Sequence, residues 1–125
     1  MPERQPPFEL EERTYEFALR VRRFLKGRSW ERVCWSDVTQ LLRSSGSVTA
    51  NYIESQEAVS PDDFTYRIRL CRKEVRESAI WLRLLGDITE FNNTELEEHE
   101  LLHKETAELT RIFTTILRKR AKRSS

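Results

Sequence analysis

The residues of this 125-residue chain that could carry chemistry are few and fall into three groups. Glu95, His99 and His103 sit at steps of four, and Glu100 with His103 makes one Glu-x-x-His pair. At that spacing carboxylate and imidazole share one helix face, as in carboxylate-bridged metal bundles. Such a centre needs a second Glu-x-x-His and a Glu from each remaining helix, and only one motif is present. Glu54 and Glu57 on another helix match by spacing alone. The two histidines therefore read as hydrogen-bonded structural residues, and no metal or other cofactor is expected. Serines are plentiful, but none stands in a strand–turn–helix setting with a partner base, so no catalytic residue is expected.

The second group is Ser44-Ser45-Gly46-Ser47. A run like this can cradle phosphate, yet that use needs a preceding strand and a Gly-rich loop with a lysine, and neither is present. Small residues inside a helix also let a neighbouring helix come close, with or without a kink, and that reading is favoured.

The third group is basic. Arg69, Arg72, Arg76 and Arg83 form one stripe of a helix, and Arg118, Lys119, Arg120, Lys122 and Arg123 crowd the C-terminal end. Cations so grouped bind phosphates by releasing counterions. The competing readings are a solvated face, a stripe paired with the acidic start of helix four, and a tail that complements a helix dipole. No aromatic residue interleaves with these charges, which argues against stacking on single-stranded bases.

The elements that must position these groups are helical. Charged residues make up 34% of the chain and apolar ones 38%, with 3 Gly and 4 Pro. This composition suits helices with narrow apolar seams and solvated faces. The formal net charge of +1 gives no overall attraction to polyanions, so any such binding must be local. Cys34 and Cys71 have no CxxC spacing and read as buried reduced thiols. No apolar run approaches the roughly 20 residues needed to span a bilayer, and the start does not resemble a signal peptide. A cytoplasmic protein without membrane contact is expected.

Residues 1–8, with three prolines, read as a flexible arm. A first helix runs from Glu9 to Lys26-Gly27, with Leu10, Thr14, Phe17, Val21 and Phe24 as its seam. Residues 28–35 are ambiguous, with Trp30, Val33 and Trp35 packing down. A second helix, capped by Ser36, carries Val38, Leu41, Ser45, Val48 and Tyr52 and runs to about Ala58; its Asn51 reads as a bond between helices or subunits. The third begins at Ser60-Pro61 with an N-cap and stops at a left-handed Gly86. The fourth starts from a Thr94–Glu97 capping box, with Leu102, Thr106, Leu109, Phe113 and Ile116 as its seam.

The third helix has two apolar sides. Phe64, Ile68, Cys71, Val75, Ser78, Leu82 and Leu85 make the core seam. Tyr66, Leu70, Ile80, Trp81 and Leu84 gather on the opposite side, where the surface helix of a monomer is polar. The second side is read as a subunit contact.

Arg43 to Ser47, Ala50-Asn51, Glu54, Glu57-Ala58, Asp63-Phe64, Arg67-Ile68, Lys73-Glu74, Glu77-Ser78 and Trp81-Leu82 carry a family likeness. So does the run from Phe8 to Arg13. In these elements the chain resembles the small four-helix-bundle proteins encoded within intervening sequences of bacterial 23S ribosomal RNA genes. Those in turn are similar to accessory variability proteins of diversity-generating retroelements. The likeness covers most of the chain and is most specific over helices two and three. It implies a homopentameric barrel of bundles, with RNA, DNA or a reverse transcriptase-like enzyme as partner, and it transfers no catalytic residue.

The expected fold is all-α: an up-down-up-down antiparallel four-helix bundle over residues 9–118, assembled as a cyclic homopentamer, with a basic tail over 119–125. The expected function is a non-enzymatic scaffold or adaptor acting through its basic patches. The alternative is a protein-binding or self-assembling module without nucleic-acid affinity.

Overall fold

The computed structural model describes residues 8–124, and the side chains of residues 9–123. Among them are four α-helices, one short 3-10 turn and no strand: α1 (Phe8–Lys26), α2 (Trp35–Gln56), α3 (Pro61–Ile88) and α4 (Asn93–Ser124), with the turn at Arg32–Cys34. The arm expected before residue 9 lies outside the described residues except for Phe8, which already belongs to α1. Each helix packs on its neighbour in the chain, and α1 also packs on α4. No helix among the described residues is long and apolar enough to cross a membrane.

The seams read from sequence meet in one core. Phe17 and Val21 of α1, Leu41 and Val48 of α2, Ile68, Val75, Leu82 and Leu85 of α3, and Leu102, Leu109 and Phe113 of α4 are all buried. Cross-helix bonds fix how the elements align. Ser44 Oγ meets Ser78 Oγ at 2.7 Å, and Arg67 Nη1 donates to Asn51 Oδ1 at 3.4 Å. Arg13 pairs with Glu105 and Arg20 with Glu98, each at 2.8 Å. Rising numbers on one helix thus meet falling numbers on the other. The small-residue run behaves as the structural reading expected. Ser44 and Ser45 are fully buried, and a Cβ on Gly46 would stand 2.9 Å from Arg22 Nη2.

Helix ends depart from expectation in four places. The Ser60 cap is as read, its side chain accepting from the Asp63 N–H at 3.0 Å. Gly86, however, does not end α3, which runs on to Ile88. Its missing side chain serves space: a Cβ there would sit 2.6 Å from the His99 ring. The box that starts α4 lies two residues earlier than Thr94–Glu97. Asn92 Oδ1 accepts from the Glu95 N–H at 2.8 Å, and Glu95 Oε1 accepts from the Asn92 N–H at 3.0 Å. Ser36 does not cap α2, which begins at Trp35 out of the 3-10 turn with no side-chain cap. Finally, α4 carries the basic residues from Lys119 onward as helix rather than as a separate tail.

Of the residues expected to pack down in the first connection, Trp30 does so against Phe24 and Phe91 and donates from Nε1 to the Leu25 carbonyl at 2.9 Å. Val33 and Trp35 remain exposed.

The core also sets an alkaline limit. Burial pushes the Cys71 thiol from 9.0 up to about 12, and burial, then Cys71 and Glu11, push Tyr52 from 10.0 up to about 12. A proton acid raised in the folded state ionises more easily once unfolded. Stability is therefore full below pH 9 and falls as pH climbs toward 12, by at most about 1.4 kcal/mol per pH unit for each group. Urea midpoints measured from pH 7 to 11 should be flat, then decline. In Cys71→Ala the decline should start later.

Candidate nucleic-acid interface and assembly face

Successive residues of α3 turn by about 100°, so Arg69, Arg72, Arg76 and Arg83 line one flank over roughly 21 Å. Arg69 and Arg76 are exposed and make no ion pair among the described residues. Arg72 is half-buried and donates from Nη1 to Thr114 Oγ1 at 3.3 Å. Arg83 lies 4.0 Å from Asp87, with both side chains about three-quarters exposed (73% and 76%), a pair worth little in water. Arg69, Arg72, Lys73, Arg76, Glu77 and Ile80 border a shallow depression of about 410 Å³.

The acidic first half of α4 does not neutralise this stripe. Glu95 is taken by Arg28 at 3.3 Å, Glu98 by Arg20, and Glu105 by Arg13 in a two-bond fork. The Glu105 hydrogen bond and charge hold the Arg13 guanidinium above its ordinary pKa. On the α2–α3 side Arg43 reaches Glu74 at 3.2 Å and Glu77 at 2.7 Å, and Glu74 first, then Glu77, raise its pKa likewise. Sequence reasoning missed all of these pairs, because each joins residues far apart in the chain and leaves no local spacing signal.

At the far end of the bundle, Arg118, Lys119, Lys122 and Arg123 are exposed and Arg120 is half-buried, its guanidinium 5.6 Å from the centre of the Phe64 ring. Lys119, Arg120 and Arg123 line a concavity of about 390 Å³ with Ser60, Pro61 and Phe64, and none of the described residues bordering it is a carboxylate. Arg118, Lys119 and Arg123 enter no ion pair among the described residues. Five basic residues thus fall within the six positions 118–123 at this end of α4.

The second apolar side of α3 is open. Tyr66 is 55% exposed, Ile80 53% and Leu84 45%, and Ile88 extends the face by one turn. Leu70 and Trp81 lie on it half-buried; Trp81 reaches in far enough to touch the core. The Trp81 indole N–H is buried with no acceptor among the described residues. A buried donor without a partner is costly.

The histidine group separates. The His99 ring packs on Phe24 and Phe91, and its Nε2–H donates to the Leu82 carbonyl at 2.6 Å. His103 and Glu100 point outward, both exposed. Among the described residues, no group of three or more His, Cys, Asp and Glu side chains converges to hold a metal ion.

In solved structures the chain is similar to a protein of unknown function from the S23 ribosomal protein family of Bacteroides thetaiotaomicron. The two are 28% identical with a TM-score of 0.73, over 86% of this chain and 96% of that one. No protein-family model and no curated protein matches the chain.

Proposed function

We propose that this chain belongs with the ribosomal-RNA intervening-sequence proteins and works in the cytoplasm as a non-enzymatic scaffold. In this reading the antiparallel bundle assembles through the second face of α3 into a cyclic homopentamer. The ring engages RNA or DNA, or an enzyme acting on them, through basic residues repeated around its axis. The observation that carries the nucleic-acid reading is the concavity lined by Lys119, Arg120 and Arg123 at the end of α4, with exposed Arg118 and Lys122 on the same turns. Each subunit adds its own set, and phosphate contacts sum through counterion release. The sequence resemblance over helices two and three and the likeness to the S23 family protein support the same assignment.

The test is a salt titration of RNA and DNA binding, followed by fluorescence anisotropy. Replacing Arg118, Lys119, Arg120, Lys122 and Arg123 with glutamine should lower affinity at least tenfold and flatten the slope of log K against log salt by about one per lost contact. Absence of binding even at low salt would leave the scaffold with a protein partner. The net charge of +1 gives that second reading its one specific support.

A further inference from the structure

A ring other than a two-fold dimer joins two different patches, so the open face of α3 needs a dissimilar surface on its neighbour. The first half of α1, with the end of α2, has the matching properties. Glu9, Glu12 and Glu16 are exposed and enter no ion pair among the described residues. Beside them stand Tyr15, 53% exposed, and half-buried Leu19. The Arg22–Ser45 bond at 3.3 Å sets the level of the two helices. Seven residues back on α1 and seven forward on α2 place Tyr15 level with Tyr52. Ile53 and Glu54 are therefore near the same height, with Glu57 just past the end of α2, and all three are exposed.

We infer that the α3 face docks a second copy of this chain through this α1–α2 surface, with Arg69, Arg72 and Arg76 facing the second copy's acidic stripe. The inference rests on the assembly half of the proposed function. Two features carry it. Arg69-Arg72-Arg76 and Glu9-Glu12-Glu16 both advance by three and then four residues, so both stripes span about 10 Å of helix. Both surfaces follow one order across their width: a charged stripe, then apolar residues. On α3 that order is the arginines, then Tyr66, Leu70, Ile80 and Leu84. On the other surface it is the glutamates, then Tyr15, Leu19 and Ile53. The arginine stripe becomes part of the subunit joint, and the end of α4 is left for phosphate.

Charge reversal with rescue tests this. Wild type, Arg69→Glu with Arg76→Glu, Glu12→Arg with Glu16→Arg, and the four-fold variant are compared by sedimentation and native mass spectrometry at matched concentration. Circular dichroism checks that these exposed changes leave the helices intact. Each two-fold variant should need at least ten times more protein to assemble, and the four-fold variant should recover. Two-fold variants with the wild-type mass distribution, or a four-fold variant no better than its parents, would overturn the pairing while leaving the assembly standing. So would an arginine variant that keeps its mass and loses RNA affinity, since the stripe would then be a nucleic-acid surface. A wild type that stays monomeric at every concentration would remove the assembly itself.

Discussion

Phe113→Ala lowers the stability of the bundle by about 3–5 kcal/mol, the range for emptying a large aromatic site. Phe113 has no exposed surface, and its ring centroid lies 6.4 Å from that of Tyr52 across the core. Collapse around the void is hindered, because its neighbours are held from several helices at once. Leu109 below it and Ile68 on α3 are themselves fully buried. Against a typical domain stability of about 5–15 kcal/mol, this loss is a large fraction of the total. The check is urea unfolding at one fixed protein concentration, since any self-association would couple stability to concentration. A shift below about 1 kcal/mol would mean that α4 is not seated in the core as described.

Gly86→Val is the second large effect, expected near 2–3 kcal/mol, at the upper end of overpacking costs. The obstacle is specific: a Cβ at Gly86 meets the His99 Cε1 and Nε2 atoms at 2.6 Å. Relief requires the ring to swing, breaking its bond to the Leu82 carbonyl and disturbing Phe24 and Phe91. Because the strain runs through one side chain, it should be strongly non-additive. In His99→Ala the valine should cost less than half as much, measured as a double-mutant cycle. Equal cost in both backgrounds would place the strain in the helix backbone instead.

Gly86 also shows where sequence reading stops. A glycine after a long periodic run looks like a left-handed helix stop, because local pattern carries that signal and no other. The actual cause lies 13 residues further along the chain, in a ring that only the folded α4 brings near. The seams of all four helices were legible, since burial follows a period that the sequence writes directly. Ser44 to Ser47 was legible as well, because small residues in a helix interior have few physical uses. The start of α4 was displaced by one overlapping choice: Asn92–Glu95 and Thr94–Glu97 both fit a capping pattern. In the candidate site, the two apolar sides of α3 and both basic groups could be read from helical spacing. What could not be read is which carboxylates already have partners. Glu98 and Glu105 were equally available on paper, and the arginines of α1 claim them only once α1 and α4 lie together.

The Ser44–Ser78 contact has a mechanical consequence. Two hydroxyls at 2.7 Å fill a crossing that admits nothing larger. Sliding α3 by one turn either way would bring Leu82 or Glu74 to that point, and neither fits against Ser44. His99 in its notch at Gly86 engages α3 a second time, eight residues beyond Ser78 and roughly 12 Å away along the axis. With two such detents the helix has no piston stroke. In the proposed ring, a signal passing through α3 would have to travel as tilt or rotation of whole bundles.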